Sequence, residues 1–481
     1  MKRLLNIVSG QIRMVVNGVV ALFVTQLCVT RLGHAQYVAI AVVLSFVGIF
    51  ALLGNATTDA CVKFIAKAAA DDNWEEADQF MINAVAVAFW ITLGACLCSG
   101  AAGWLKPSLT GYLPLSFIYV VLAGMFLSLF SGICASGNFY HENFLSSAIV
   151  QSLSRIIYGA GVWYGIVHLN LNYWGVAFGS FAGALFAASG AYALFKVNLP
   201  RVALNVRYLS FERQGRIVSF IGWMLFVYCG TYCASNAVLL IASIYVNTEE
   251  AARLALGLQV GSIAAQVLTC FSLVTSPGIY RALARDDQRL ASRYIQLLLD
   301  LALPASICGM LIVYFEGNQI LRLWLGDDAP VRMVPIILGS FMSFSLVSIC
   351  IPFCAYYAAA NRLRTYGLAC LAESLLICLS SILLLHVAPR SVDRIVLIAL
   401  LPGILIVLKL FILCWFRCAG LSVSFRKLCG TLLFSGLIAA ALSSIIRWTS
   451  LQNLWLSIAI LMVPYGLYLV YQLRRGPSAC L

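Results

Sequence analysis

The chain has 481 residues, of which 62% are hydrophobic and 10% charged, with a mean hydropathy of +0.95. Soluble globular proteins carry about 25% charged residues, so this composition excludes a fold solvated by water alone and requires lipid against most of its surface. The formal net charge of +13 has its origin in where the basic residues fall along the chain.

Apolar runs separated by charged or Pro/Gly-rich joints predict fourteen membrane spans of about 20 residues each. They cover residues 10–30, 38–59, 80–104, 112–134, 145–166, 174–195, 217–244, 254–279, 294–315, 333–358, 365–386, 394–416, 428–447 and 454–472. The start, MKRLLNIVSGQIRMVV, has a basic end, but Asn6, Gln11 and Arg13 break its apolar stretch and no small-residue cleavage site follows. The first span is therefore expected to direct insertion itself. The fold class is an all-α polytopic membrane protein. Its expected organisation is a six-span bundle over 1–196, a cytoplasmic linker over 197–216, a second six-span bundle over 217–416 and a C-terminal span pair over 417–481.

Orientation follows from Lys and Arg in the short joints. With the N-terminus in the cytoplasm, 21 of the 31 basic residues fall in inner segments and 8 in outer ones, leaving Arg155 and Lys409 inside spans. Both termini are expected in the cytoplasm. The positive charge is thus mainly topological and calls for no nucleic-acid partner.

The 17 cysteines are scattered through apolar runs, with no Cys-x-x-Cys pair and no His cluster, so they read as small hydrophobes and predict neither metal nor cofactor. No joint exceeds roughly the twenty residues from Lys196 to Arg216. That leaves no room for the extramembrane domain of a membrane glycan polymerase or ligase. A phosphate loop, a His-Glu-x-x-His motif and a carboxylate pair set for acid–base work are all missing, so no enzyme is expected. GAGVWYG, Gly159 to Gly165, reads as small residues that let two helices approach.

The stretch GNATTDACVKFIAKAAADDNWEEADQF, Gly54 to Phe80, has an internal echo. Setting residue n against n+218 aligns Thr57, Thr58, Lys63, Ala66 and Lys67 with Thr275, Ser276, Arg281, Ala284 and Arg285. Dropping Ala68 to Ala70 then places Asp71–Asp72 on Asp286–Asp287. Two copies with an even number of spans would be parallel repeats, an arrangement that sets a substrate path between the copies. Pro277 stands opposite Asp59, so only the first copy carries that carboxylate.

Span 1 carries Ser9, Arg13 and Asn17 at four-residue spacing; span 8 carries Gln259, Ser262, Gln266 and Thr269; span 7 carries Tyr228, Tyr232, Ser235 and Asn236. Residues three and four apart share a helix face. Two readings stand side by side: hydrogen-bonded glue between helices, or the wall of a water-filled cavity. Charges deep in a membrane cost about 2.5–3.5 kcal/mol on insertion scales and tend to mark function. Arg155 is the deepest, about 16 Å into span 5 at 1.5 Å per residue, with an ion pair to Glu373 or Asp300 as its structural alternative. Lys409 is expected to snorkel to the inner interface. Arg13 and Asp59 lie near the inner boundary.

Three joints carry a resemblance. RLGHAQYVAI (Arg31 to Ile40) resembles the Leu-Gly-x-x-x-Tyr-Gly turn of the Wzx-type polysaccharide repeat-unit flippases of the MATE-like MOP superfamily, with Val38 in place of the usual Gly. The polar end of span 2 followed by Lys63, Ile65 and Ala66 and an acidic segment resembles their next signature. ILRLWLGDDAP (Ile320 to Pro330) is similar to their joint between spans 9 and 10. The resemblance implies two facing bundles in a V, alternating access and a cationic cavity. It also implies transport of an undecaprenyl-diphosphate-linked oligosaccharide, of the O-antigen or lipopolysaccharide kind, from the cytoplasmic to the periplasmic leaflet of a bacterial inner membrane. On that reading Arg13, Arg155 and Arg281 form the cationic path, and Asn17, Gln259, Ser262 and Gln266 line the cavity. Asp59 or Glu373 exchanges a proton or sodium ion, and membrane lipids and other polysaccharide assembly proteins are the further partners. Fourteen spans are also found in the lipid II flippase branch, where the extra pair forms a lipid-tail groove, but span 1 has no arginine cluster beyond Arg13. The alternative is a MATE-type antiporter for cationic small molecules, whose cavity should be acidic.

Overall fold

A computed structural model describes residues 2–415 except 71–72, 106–112, 141–143, 203, 285–286, 327–331, 361 and 388–392. The predicted last two spans lie outside the described residues, as do the side chains of Asn55, Asp59, Lys63, Lys67 and Arg281. The described chain is helical with no strand: α1 (Lys2–Ala70), α2 (Trp74–Leu105), α3 (Leu115–Tyr140), α4 (Phe144–Trp163), α5 (Trp174–Asn198), α6 (Phe211–Tyr232), α7 (Val238–Tyr245), α8 (Thr248–Ala284), α9 (Gln288–Leu325), α10 (Met333–Ala359), α11 (Leu363–Val387) and α12 (Arg394–Trp415). Among the described residues nine segments are long and apolar enough to cross a membrane, by length and composition. The all-α polytopic architecture expected from hydropathy is therefore the observed one.

Spans 1 and 2 form a single run, α1, broken only at Gly33, whose φ of 82° and ψ of 165° no helix contains. A left-handed φ is strained for residues with a Cβ, so the glycine of RLGHAQ is what lets the chain reverse there without a loop. Span 7 is α6 and α7 joined through a π turn at Cys233–Ala237. The chain divides into two compact units, Met1–Tyr232 with Asn247–Ala252, and Cys233–Val246 with the described residues from Arg253 on.

Each unit contains the same joint. In the first, Asn73 N donates to Ala68 O at 2.8 Å, and the Asn73 side chain accepts from Glu76 N at 3.2 Å to open α2. In the second, Asp287 N donates to Ala282 O at 3.0 Å, and the Asp287 side chain accepts from Leu290 N at 2.8 Å to open α9. Asn and Asp are natural N-caps because a short side-chain oxygen reaches the free amides of the first turn. The caps are 214 residues apart, one fewer than the 215 that the Asp71–Asp72 and Asp286–Asp287 pairing gives once the three alanines are dropped. A second equivalence lies deeper in each unit. Ser131 Oγ on α3 donates to Ala187 O on α5 at 3.2 Å, and Ser343 Oγ on α10 donates to Ala399 O on α12 at 2.9 Å.

In the first unit α4 and α5 meet along glycines. A Cβ on Gly161 would lie 3.0 Å from Gly179 Cα, and one on Gly179 would lie 2.7 Å from Val162 N. Ser154 Oγ donates to Gly183 O at 2.8 Å across the same seam. Lipid-exposed helices gain little from hydrophobic association, so close backbone contact and a lateral hydrogen bond hold such a pair. Gly179→Ala pushes a methyl into backbone and is expected to destabilise the protein by about 1–3 kcal/mol, read as a lower melting temperature in detergent. The seam fixes how α4 is rotated, and with it where Arg155 points.

Candidate substrate path

The exposed large apolar residues of α4 are Leu145, Ile149, Leu153, Ile156 and Trp163. Their spacing draws one continuous side of the helix, the side suited to lipid. Arg155 lies roughly 120° around the helix from the middle of that side, at 3.6 residues per turn. Ala148 and Val162, buried at 6% and 0% exposure, share its flank, yet Arg155 is exposed. Its head thus stands in open space on the protein-facing flank of α4. Among the described residues it forms no ion pair.

One turn before it, Gln151 Oε1 accepts a 2.7 Å hydrogen bond from Arg13 Nη1 of α1. Residues four apart on a helix have Cβ atoms about 5–6 Å apart, so this bond brings the Arg13 head to the same ridge as Arg155. An amide satisfies a guanidinium N–H without cancelling its charge, so the bond to Gln151 leaves the Arg13 charge in place. The two helices touch tightly just beyond, where a Cβ on Gly159 would lie 2.8 Å from Val20 Cγ1. On α1, Ser9 is buried one turn before Arg13, and Asn17 one turn after it. Asn17 Oδ1 is buried without a hydrogen-bond partner among the described residues, an acceptor held ready on the ridge. Gln151 was not singled out from the sequence. Its signal is its place one turn before Arg155 in QSLSR.

The α8 stripe divides. Gly257 and Gly261 face α10, where added Cβ atoms would lie 2.5 Å from Ile336 Cγ2 and 2.8 Å from Ser340 Cβ. Gln259, Ser262 and Gln266 lie on the opposite side of α8 and are partly exposed, with Ser262 Oγ donating to Gln259 O at 2.8 Å. Thr269 leaves the stripe, its hydroxyl 3.1 Å from that of Ser348 on α10, and so serves as interhelical glue. On span 7, Tyr232 also takes a packing role, its buried hydroxyl donating to Ser45 O at 2.8 Å.

Lys409 does not snorkel. Its side chain is 8% exposed, its Nζ stands 2.5 Å from Glu373 Oε2, and Glu373 is 3% exposed. The ammonium also lies 3.6 Å from Cys370 Sγ and 5.5 Å from the centre of the Tyr366 ring. Snorkelling is what a lysine does on a helix considered alone; here the neighbouring α11 presents a carboxylate within reach. Glu373 is thereby committed within its own unit, and Asp300 Oδ1 accepts from Gln296 Nε2 at 3.0 Å along α9. Asp59 sits on the second half of α1 and Arg281 near the end of α8, their side chains outside the described residues.

No family model matches the chain, and no curated protein sequence does either. Solved structures do. The lipid II flippase MurJ in an inward closed conformation superposes with a TM-score of 0.68 at 14% identity, over 97% of this chain and 99% of that one. A MATE transporter in complex with MaL6 gives 0.66 at 14% identity, over 86% and 96%. A MOP superfamily transporter from Pyrococcus furiosus, described as having a binding pocket of reverse polarity, gives 0.65 at 14% identity, over 87% and 96%. The chain has the fold that these solved structures share. Identity this low carries the fold and not the cargo. What the chain does must therefore be argued from its own charges: the Arg13–Gln151–Arg155 ridge in the first unit, and a carboxylate matched by Lys409 in the second.

Proposed function

We propose that the protein is a flippase that carries an oligosaccharide on undecaprenyl diphosphate from the cytoplasmic to the periplasmic leaflet of a bacterial inner membrane by alternating access. The observation that carries this reading is the ridge on which Arg13 and Arg155 stand together through the neutral Gln151. A diphosphate needs positive charge along its path, and guanidinium forks bind phosphate oxygens two at a time. Arg281 extends that path, and Asn17, Gln259, Ser262 and Gln266 line it with groups able to bond sugar hydroxyls. The membrane potential favours outward movement of the anion by about 2.3 kcal/mol per charge per 100 mV. The excess of Lys and Arg in the inner joints supports cytoplasmic termini.

Asp59 is the carboxylate assigned to proton or sodium exchange; Glu373 takes part only by giving up Lys409. The rival reading, export of cationic small molecules, requires negative charge where this ridge is positive. Deletion of the gene is expected to leave the lipid-linked unit accumulated on the cytoplasmic side and the surface glycan depleted. A normal surface glycan in a deletion strain with no second flippase overturns the proposal.

A further inference from the structure

Taken one at a time the cysteines are small hydrophobes, but two of them meet. Cys233 opens the π turn of span 7, and its Sγ lies 3.8 Å from Sγ of Cys378 on α11, 145 residues further along the chain. Both belong to the second unit, and neither is in a disulfide. Farther along the same two helices the Tyr245 ring meets that of His386 edge to face, with centroids 4.9 Å apart. Span 7 and α11 are thus held side by side at two levels, which keeps the sulfurs in register.

The position of the pair gives a bond there a mechanical consequence. A π turn is a rare departure from the helical ladder that recurs at functional sites, and this one stands where the chain passes from the first compact unit into the second. Cys233 is buried, whereas Cys378 is half-buried. On α11, Cys378 has buried Ser374, Ile377 and Ser381 on one flank and exposed Leu375, Leu379 and Leu383 on the other. A small oxidant arriving from the lipid side therefore reaches Cys378 first. A disulfide bond is about 2.05 Å long, so the sulfurs must approach by about 1.8 Å from where they stand. That is a shift of the size that rotation about a Cα–Cβ bond produces.

We infer that Cys233 and Cys378 are a reversible oxidation site, at which a peroxide closes the two thiols into a disulfide that staples the π turn to α11 and arrests transport. The Cys378 sulfur attacks one oxygen of hydrogen peroxide and breaks the O–O bond. A sulfenic acid forms, and the other oxygen leaves as water with the thiol proton. The Cys233 sulfur then displaces the sulfenic oxygen, which takes the second thiol proton and leaves as water. Two thiols and one peroxide give one disulfide and two waters. The arrest rests on the alternating-access reading above; the disulfide itself does not.

The test uses the full chain in nanodiscs treated with hydrogen peroxide, the remaining thiols then alkylated in denaturant and the peptides mapped by mass spectrometry without reduction. The wild type is expected to yield the Cys233–Cys378 linked peptide, which dithiothreitol removes, and C378S to yield none. In proteoliposomes, wild-type transport is expected to fall by the fraction linked and to recover with dithiothreitol. C378S, which replaces a thiol with a hydroxyl of similar size, is expected to melt like wild type and to keep its rate in peroxide. A peroxide-treated wild type without the linked peptide overturns the site. Linked protein that transports at the rate of the reduced protein overturns the arrest. Reduced protein that moves no lipid-linked oligosaccharide counts instead against the proposed flippase, and the peptide map still decides the site.

Discussion

Arg155→Ala is expected to reduce transport of a diphosphate-linked substrate by about ten- to a hundredfold, because hydrogen bonds to charged groups contribute about 1.5–3 kcal/mol. The protein should fold and insert normally, since the side chain is exposed and holds no partner in an ion pair among the described residues. Arg155→Lys keeps the charge but loses the planar fork and should fall between the two. The sharper variant is Gln151→Glu. Gln151 Oε1 already accepts from Arg13 Nη1 at 2.7 Å, so the carboxylate would strengthen that contact while cancelling one of the two cations. Stability should hold or rise and transport should fall. A merely structural ridge predicts the reverse, with transport following stability. Flipping measured in proteoliposomes beside a melting curve separates them, and an unimpaired Q151E transporter would remove the ridge from the path.

How much of this could be read from the sequence depends on whether a feature is local to one helix. Spans are legible because lipid demands about 20 apolar residues of every helix that crosses it, and α2, α3, α5 and α10 fall where hydropathy places them. Asn73 and Asp287 are legible as caps once a repeat is suspected. The expected pairing of Asp72 with Asp287 misses the capping equivalence by one residue, because Asn73 and not an aspartate caps the first joint. The meeting of Arg13 with Gln151, 138 residues apart, was not legible, since no periodicity says which helix α1 packs against. Only the polar stripe of Ser9, Arg13 and Asn17 announced that some partner existed. The fate of Thr269 shows the same limit: spacing places it with Gln259 and Gln266, and only the position of Ser348 on α10 takes it away.

Breaking the Glu373–Lys409 pair on one side is expected to cost about 3–5 kcal/mol, because each partner is buried and its removal strands the other's charge. Glu373→Ala and Lys409→Ala should therefore both lower the melting temperature sharply. Removing both charges with residues of similar volume, E373L/K409M, should restore most of the stability, since desolvation of the two charges offsets much of their attraction. The coupling between the single variants is then large and of one sign, as expected of side chains 2.5 Å apart. Additive losses would mean that the pair is not made in the folded protein. The double variant also decides what the pair is for. If Lys409 is a fixed counterion of Glu373, E373L/K409M should transport at the wild-type rate, because the cationic ridge of the first unit is untouched. If Glu373 releases Lys409 to take a proton or sodium ion during the cycle, the same variant should be stable and yet have lost its dependence on that ion's gradient. Stability and gradient dependence move together under neither account, so the two measurements on one protein distinguish a structural pair from a coupling one.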